Sequence, residues 1–420
     1  MMLIDDVLHK ENMLRAYRRV VKNKGAAGVD GMSVDDLHKH CQDHWPRIRE
    51  EILCGKYHPQ PVRRVDIPKP GGGTRMLGIP TVIDRMIQQA LAQTLNQIYD
   101  ETFSEDSFGF RTGRSTHGAV RRSRDHIAAG YRWVVDLDLE KFFDQVNHDV
   151  LMARIARRVD DKRTLLLIRR YLQSGIMAGG VVSARVKGTP QGGPLSPLLS
   201  NILLDDLDKE LERRGHRFVR YADDTVVYVK SKRAGERVMD SLERFLDKRL
   251  RLKINRSKSA VARPWRRQFL GYTVTSNLKP RLKVARKAVQ RLKTNLRPLF
   301  RRARGSHLSI TIEMLTPKIR GWVAYYRLAD VRGTFKDLDA WTRRRLRAVI
   351  WLHWKTPRTR YRKLLSLGVR AEKAASAAWG RDGPWASSAG SAINVAIPNR
   401  YLEELSLLSF VDAHRRFASL

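Results

Sequence analysis

Two adjacent aspartates, Asp223 and Asp224, lie in the stretch FVRYADDTVVYVK at residues 218–230. β-branched and aromatic residues stand on both sides of the pair, which predicts two strands with the aspartates at the tip of a hairpin. Two carboxylates held on a rigid turn repel each other unless a cation lies between them. The pair therefore indicates a metal site, with a solvated acidic turn as the alternative.

A second acidic strand end occurs in VVDLDLEKFFD at residues 134–144. Because strand side chains alternate, Asp136 and Asp138 point to one face, and Asp138, at the end of the apolar run, is better placed to face a cleft. Mg²⁺ binds one or two carboxylates and takes its other ligands from water and substrate phosphates. Two such ions about 4 Å apart can activate a 3′-hydroxyl and stabilise a leaving pyrophosphate. Asp138, Asp223 and Asp224 would supply carboxylates for this chemistry.

The overall charge indicates a polyanionic partner. The 420 residues carry a formal net charge of +38, which would repel itself in isolation. Nucleic acid is the leading candidate and an anionic membrane surface is the alternative, but no apolar run approaches the roughly 20 residues that span a bilayer. Cys41 and Cys54 have no zinc-binding spacing, and the N-terminus lacks the order of a signal peptide. We therefore expect no membrane association, no structural zinc site and a cytoplasmic location.

The elements that must position these residues follow from periodicity. Helices are expected at about residues 1–22, 36–54, 81–99, 147–158, 162–174 and 233–249, with others ending near 128 and following the Gly/Pro loop at 188–194. VRRVDI and TRMLGI predict two strands joined by the turn Pro68–Gly73, and LKINRSKSAV and FLGYTV predict short strands. Strands and helices mixed in this order indicate an α+β domain on a mostly antiparallel sheet.

Composition changes near residue 280. Between Arg281 and Lys363 there are about two dozen lysines and arginines against about four acids, an asymmetry typical of a nucleic-acid surface. Apolar residues recur there at helical spacing, which predicts a bundle of about three helices with a basic exterior. The segment from about 366 to 420 is richer in Ala, Ser and Gly, and we interpret it as a small appended helical module.

Successive motifs in this chain resemble the palm motifs of a reverse transcriptase, and the best match is to group II intron-encoded reverse transcriptases, also called maturases. The palm motifs are VVDLDLEKFFD, GTPQGGPLSPLLSN, FVRYADDTVVYV, LKINRSKS and FLGY. NKGAAGVDG resembles the family's N-terminal extension, PVRRVDIPKPGGGTRMLGIPTVIDRMIQQAL and SFGFRTGRSTHGAV resemble its fingers, and GWVAYYRLAD resembles its thumb or maturase region. The chain is similar to compact, endonuclease-lacking bacterial proteins of group IIC introns.

The resemblance implies an α+β right-hand polymerase, with fingers and an antiparallel palm sheet followed by an α-helical thumb and a small C-terminal helical module. The implied domains are an N-terminal extension and fingers at 1–80, a fingers and palm catalytic domain at 81–280, a helical thumb or maturase region at 281–365, and a DNA-binding module at 366–420. A bacterial cytoplasmic, nucleoid-associated location would follow.

The resemblance also assigns roles to single residues. Asp138, Asp223 and Asp224 would be the catalytic aspartates and would hold two Mg²⁺ ions, or Mn²⁺, with the backbone carbonyl of Leu139 as a further ligand. Phe143 would lie against the sugar and exclude a ribose 2′-hydroxyl; a core aromatic is the alternative, which fits Phe142 better. The other implied contacts are Lys69, Arg75, Gln191 and Lys258 with the nucleotide or pyrophosphate, and Arg63 or Arg64, Phe269, Leu270 and Gly271 with template or primer.

The function that the resemblance implies is RNA-directed DNA synthesis, together with intron RNA binding that assists splicing and retrohoming. The expected partners are intron RNA as template, a DNA primer or target, and deoxynucleoside triphosphates. The alternatives are a non-catalytic RNA-binding splicing factor and a domesticated reverse transcriptase in defence or repair. The paired Cys and His motifs of the endonuclease domain do not occur in the sequence, so target cleavage is not expected.

Overall fold

The computed structural model describes residues 3–68, 72–178, 181–183, 187–189 and 192–418. Two of the predicted nucleotide contacts, Lys69 and Gln191, lie outside the described residues. The chain divides into two compact units, Met1–Phe269 and Leu270–Leu420. No helix of the described part of the chain is both long enough and apolar enough to cross a membrane.

The first unit contains most of the strands and half of the helices. Its strands are β1 Val62–Pro68, β2 Thr74–Ile79, β3 Trp133–Leu137, β4 Ile176–Ala178, β5 Val181–Ser183, β6 Arg217–Tyr221, β7 Asp224–Val229 and β8 Ala260–Ala262. Its helices are α1 Leu3–Val7, α2 Lys10–Asn23, α3 Leu37–Leu53, α4 Val82–Tyr99, α5 Thr116–Ala128, α6 Phe142–Gln145, α7 His148–Ile155, α8 Lys162–Gln173, α9 Ser196–Arg213 and α10 Lys232–Phe245. The expected α+β class is confirmed.

The palm sheet has the strand order β6-β7-β3-β8, and each pair of neighbours is antiparallel. The predicted hairpin is its core, because β6 and β7 pair from Arg217–Tyr228 to Tyr221–Asp224. Helix α10 covers one face so closely that a Cβ added at Gly235 would lie 2.5 Å from a Val261 methyl carbon. This close contact fixes the sheet that carries both acidic strand ends.

A second sheet of the first unit has the order β2-β1-β4-β5. The two strands expected on either side of the Gly-rich turn pair antiparallel, from Arg63–Ile79 to Pro68–Thr74. The pairing of β1 with β4 is parallel, which local periodicity could not reveal because the two strands are far apart in sequence.

Two short-strand predictions were wrong in extent. In LKINRSKSAV the regular strand begins only at Ala260, and Ile254 makes a single isolated bridge to Leu139. In FLGYTV only Tyr272–Val274 is a strand, and it belongs to the second unit.

The single helix expected at 1–22 is interrupted, since α1 ends at Val7 and α2 begins at Lys10.

The second unit is a small two-stranded sheet with helices. Its strands β9 Tyr272–Val274 and β10 Leu282–Val284 pair antiparallel. Its helices are α11 Arg286–Arg302, α12 Leu308–Tyr325, α13 Gly333–His353, α14 Pro357–Ser366, α15 Ala371–Trp379, α16 Pro384–Ser387, α17 Ser391–Ala396, α18 Asn399–Glu404 and α19 Phe410–Ala418. The indole of Trp322 meets Phe335 and Phe410 edge to face at 6.0 and 5.9 Å, so α12, α13 and α19 share one core.

The last helix is tied to this core by Asp339, a buried residue of α13. Its carboxylate accepts hydrogen bonds from the backbone N–H groups of Phe410 at 2.7 Å and Val411 at 3.2 Å, and from the Ser409 hydroxyl at 2.9 Å. These are N–H groups that the first turn of α19 cannot satisfy internally. Asp339 therefore caps a helix from a distant part of the chain.

We predict that Asp339→Ala lowers the free energy of unfolding by about 1–3 kcal/mol, because the buried donors at the start of α19 lose their acceptor. Urea denaturation would measure the loss, and hydrogen exchange should show faster exchange in α19 first. Asp337→Ala on the same helix is the matched control, since Asp337 is exposed and should cost little. Equal stability of the two variants would contradict this role of Asp339.

Candidate active site

The two predicted catalytic residues of the hairpin occupy a tight turn. Tyr221 pairs with Asp224, so Ala222 and Asp223 alone connect β6 to β7. Ala222 has a φ of 57°, in the left-handed region that costs an L-residue roughly 1–2 kcal/mol. Such a turn persists only where its surroundings hold it.

Arg220 stabilises this turn through hydrogen bonds. Its side chain is fully buried and its Nε and Nη2 donate to the Asp208 carboxylate, at 2.8 Å to Oδ1 and 2.6 Å to Oδ2. Its Nη1 donates to the Ala222 carbonyl at 2.9 Å and to Asn201 Oδ1 at 2.9 Å. The charge of Arg220 is thus neutralised, and its guanidinium fixes the backbone of the acidic turn.

Asp138 lies at the matching end of β3. The β3–β7 register runs from Trp133–Val229 to Leu137–Thr225, so Asp138 and Asp224 both adjoin its last pair. Asp138 is near enough to Asp224 for its charge to raise the pKa of Asp224. The Asp138 N–H donates to Ser259 Oγ at 2.9 Å and its carbonyl accepts from the Asn255 N–H at 2.8 Å. The structure therefore brings the three predicted aspartates to one edge of the palm sheet.

The pKa values of Asp223 and Asp224 reflect the negative charge gathered at this edge of the sheet. Burial, together with the charges of Asp223, Asp136 and Asp138, raises the pKa of Asp224 to about 6, although Asp224 still reaches solvent. Burial also raises the pKa of Asp223, an effect that the Arg75 guanidinium opposes and the Asp138 carboxylate reinforces. A site that penalises negative charge in this way is suited to a cation.

Asp136, on the same strand face as Asp138, has a different role. Its carboxylate forms an ion pair with Arg267, whose Nε and Nη2 lie 2.7 and 2.6 Å from Oδ2. Burial raises the pKa of Asp136, and Arg267 opposes that shift. The carboxylate of Asp136 is therefore occupied by Arg267, which leaves Asp138 as the acid of this strand that is available to the turn.

The donor set fits Mg²⁺ in chemical type. In the described ranges no three His, Cys or carboxylate side chains are arranged to hold one metal ion by themselves. Mg²⁺ does not need such a set, because it takes one or two carboxylates and completes its shell with waters and phosphates. The backbone carbonyl of Leu139 is available as a further ligand. Leu139 and Ile254 are opposite each other in an antiparallel bridge, but the hydrogen bonds on either side are made by the residues next to them. The carbonyl of Leu139 therefore points away from Ile254.

The two phenylalanines of KFFD differ in environment, as expected. Phe142 is 3% exposed and belongs to the core, whereas Phe143 is only half-buried, with the two rings 5.1 Å apart. The Phe143 carbonyl accepts from the Thr189 N–H at 2.7 Å, and the Gly188 carbonyl lies 2.8 Å from Nε2 of the buried His148. The segment that leads to Gln191 is thus fastened to the backbone of Phe143.

Two cations predicted to contact the nucleotide lie beside the aspartates. Arg75, on β2, is near enough to Asp223 to lower its pKa. Lys258 places its Nζ 3.8 Å from Asp138 Oδ1, and about two thirds of its side chain is exposed. An exposed pair of this kind is weak, so the lysine can exchange Asp138 for a substrate phosphate at little cost.

The residues expected to contact template and primer are spread over both units. Arg64 forms an ion pair with Asp66 at 3.1 Å, while the buried Nε of Arg63 has no hydrogen-bond partner in the described chain. This difference favours Arg63 as the residue with unused hydrogen-bonding capacity. Phe269 ends the first unit and is half-buried.

Leu270 and Gly271 begin the second unit, with φ values of 51° and 79°. A Cβ added at Gly271 would lie 2.4 Å from the Tyr326 hydroxyl. The expected close approach at Gly271 is therefore made, within this unit, by a tyrosine of the protein. Contact with a primer strand stays a prediction.

Arg220, Asp208 and Asn201 are the residues that motif reasoning missed. The signal in the sequence was an arginine between the apolar residues Phe218 and Val219 and the aromatic Tyr221 of a predicted strand. Its partner could not be named, because α9 contains several acids and only the fold selects Asp208.

We predict that Asp208→Ala lowers the free energy of unfolding by about 3–5 kcal/mol, because it leaves the Arg220 guanidinium buried without a carboxylate. Asp206→Ala is the matched control on the same helix. Its partners Arg154 and Arg157 lie nearer to solvent, so a loss of about 1 kcal/mol or less is expected. Chemical denaturation would compare them, and equal losses would contradict the special role of the buried pair.

Comparison with known proteins supports the motif-based identification. The family described as reverse transcriptase (RNA-dependent DNA polymerase) matches residues 67–274, and the group II intron maturase-specific domain matches residues 289–368. Protein YkfC of Escherichia coli (strain K12) is 32% identical over 295 residues, which cover 61% of this chain and 77% of YkfC. Group II intron-encoded protein LtrA of Lactococcus lactis subsp. cremoris is 30% identical over 327 residues, which cover 62% of this chain and 54% of LtrA.

The chain thus spans about half the length of LtrA. A solved structure of telomerase from Candida albicans with a fragment of telomeric RNA is similar over 80% of this chain and 67% of its own, with 12% identity and a TM-score of 0.45.

The polymerase and maturase matches follow each other along the chain in the order that the motifs predicted. The chain therefore belongs to the group II intron-encoded reverse transcriptases, a family of RNA-directed DNA polymerases that carry a maturase-specific domain.

Proposed function

We propose that this chain copies RNA into DNA at the edge of the palm sheet, where Asp138, Asp223 and Asp224 hold two Mg²⁺ ions. The single observation that carries the proposal is the β3–β7 register, which ends at Leu137–Thr225 immediately before Asp138 and Asp224, beside a turn that the buried Arg220 fixes. Bound Mg²⁺ would supply activation of the primer 3′-hydroxyl and charge neutralisation at the pyrophosphate. Reverse transcriptases in general use this ion.

The other side chains of the site would bind and orient the substrate. Arg75 carries a positive charge beside Asp223, where a triphosphate would lie, and Lys258 is within reach of the same edge through Asp138. A guanidinium binds phosphate through paired N–H groups, whereas an ammonium can also donate a proton to departing pyrophosphate. We assign Arg75 to triphosphate binding and Lys258 to protonation of the leaving group.

The maturase-specific region suggests the partner. The second unit contains the matched residues 289–368, and the relative LtrA is a group II intron-encoded protein. We propose that this chain binds its intron RNA, assists its splicing and copies it during retrohoming, with target DNA as primer. The formal charge of +38 supports a large phosphate interface, whose affinity should fall steeply with added salt.

The proposed chemistry is tested by Asp223→Ala. Primer extension on an RNA template with a DNA primer should fall by about 10³-fold, because the site loses charge stabilisation that is specific to the transition state. Binding of a group II intron RNA should change less than about twofold, since it does not use this carboxylate. Asp160→Ala, an exposed member of another aspartate pair, is the matched control and should keep full activity.

Retained extension by the Asp223→Ala variant would overturn the catalytic assignment. Loss of extension in the control as well would indicate a general folding defect. A wild-type chain that binds intron RNA but extends no primer would favour the alternative of a non-catalytic splicing factor.

Phe143→Ala tests sugar selection. Removing the half-buried ring should raise incorporation of ribonucleotides relative to deoxyribonucleotides by about tenfold or more, which corresponds to about 1.4 kcal/mol of lost discrimination. Single-nucleotide extension with each triphosphate would measure the ratio. Phe143→Tyr keeps the bulk of the ring and should retain discrimination, so equal ratios in the two variants would contradict a steric role.

A further inference from the structure

A cavity of about 400 Å³ lies within the second unit, away from the acidic turn in sequence and in a region to which the proposed chemistry assigns no residue. It is formed by α11, the turn that follows it, α13 and α16. The lining residues are Arg297, Phe300, Arg301, Arg304, Arg345, Ala348, Val349, Leu352, Pro384 and Trp385. Its size is in the range of small-molecule and cofactor sites.

The rim of the cavity is unusually basic. Four of its lining residues are arginines, and no acidic residue is among them. Burial and the neighbouring guanidinium groups of Arg297, Arg344 and Arg301 lower the pKa of Arg345. The buried Nε of Arg345 has no hydrogen-bond partner in the described part of the chain. Like charges held together beside an unused donor indicate a site for an anion that supplies several acceptor oxygens.

The floor of the cavity is apolar. Phe300, Ala348, Val349 and Leu352 provide it, and Phe300 is further fixed by an edge-to-face contact with Trp341 at 5.6 Å. Two guanidinium groups lie over the Trp385 ring, with the guanidinium carbons of Arg344 and Arg345 at 4.0 and 4.3 Å from the ring centroid. Trp385 therefore orients the arginines, and the floor is the surface left for an apolar or aromatic group.

We propose that this cavity binds one unpaired nucleotide of an RNA strand, with its base on the apolar floor and its phosphate on the arginine rim. The inference rests on the proposed function in taking RNA as the partner. A splayed-out base presents a flat aromatic face next to a phosphate, which matches this combination of surfaces, whereas a paired base cannot enter a cavity. Guanidinium groups match phosphate geometry with paired donors.

The position of the cavity also gives the end of the chain a role. Arg297 to Leu352 lie inside the match to the maturase-specific domain, but Pro384 and Trp385 lie beyond it. The Arg344 Nη2 donates to the Trp385 carbonyl at 2.9 Å, so α16 is attached to the arginines of α13. The segment after residue 366, predicted as a DNA-binding module, thus completes a site for RNA in this proposal.

The test compares two RNA hairpins that are identical except for one bulged nucleotide, measured by fluorescence anisotropy with the full chain. The wild type should bind the bulged hairpin about tenfold more tightly than the paired one. Ala348→Leu fills the floor without a change of charge, and Arg345→Gln removes a rim cation. Each should abolish the preference for the bulge and leave affinity for the paired hairpin within about threefold.

Arg302→Gln is the matched control, because Arg302 is exposed on the same helix as Arg301 and does not line the cavity. It should weaken both hairpins equally and keep the preference. No preference in the wild type, or a preference that survives both cavity variants, would overturn the proposal. Tight binding of adenosine monophosphate without any advantage for the bulged hairpin would also overturn it, by assigning the cavity to a free nucleotide.

Failure of this proposal can be separated from failure of the proposed function. Asp223→Ala should keep the preference for the bulge while losing primer extension. Ala348→Leu should lose the preference for the bulge and should keep primer extension on a fully paired template and primer. Circular dichroism would confirm that the variants are folded, and Arg345→Gln supplies an independent result if Ala348→Leu is not.

Discussion

Repulsion among carboxylates gathered at one edge of the palm sheet is the constraint on which the catalytic unit depends. Asp138, Asp223 and Asp224 would separate in a flexible chain because like charges repel, and burial together with neighbouring carboxylates raises the pKa of Asp223 and of Asp224. Their positions are imposed by the β3–β7 register and by the fully buried ion pair of Arg220 with Asp208. The fold thus maintains an unfavourable arrangement of charge that a bound cation would relieve, as expected where strain belongs to function.

Pairing with arginine separates the acids that have a structural role from those of the candidate site. Asp208 is fully buried and Asp136 is half-buried, and each has an arginine partner within 2.6 Å, so neither is left for a metal ion. Asp138 instead forms a long ion pair with the exposed Lys258 at 3.8 Å, a contact that a substrate can replace. Pairing with arginine therefore distinguishes Asp136 and Asp208, which build the fold, from Asp138, which is available to a metal ion.

The sequence allowed the hairpin, Asp138 and the α+β class to be predicted, because strand alternation and turn chemistry are local and the motifs occur in a family order. Arg220 and Asp339 were not predicted, since their partners come from other elements and only tertiary packing selects them. The parallel β1–β4 pair was missed for the same reason. For Gly271 the motif predicted a close approach to the backbone, and the structure shows that the approaching group is the Tyr326 hydroxyl.

The most direct test of the central claim is the titration of the Asp224 carboxyl by NMR of the chain with ¹³C-labelled aspartate, assigned through Asp224→Asn. Without divalent ions the pKa should be about 6, because burial and the neighbouring carboxylates disfavour its charge. Saturating Mg²⁺ should lower it by at least about 1 unit, since a bound cation reverses that penalty. A pKa near the ordinary value of about 3.9 that does not respond to Mg²⁺ would show that the three aspartates do not form a common metal site.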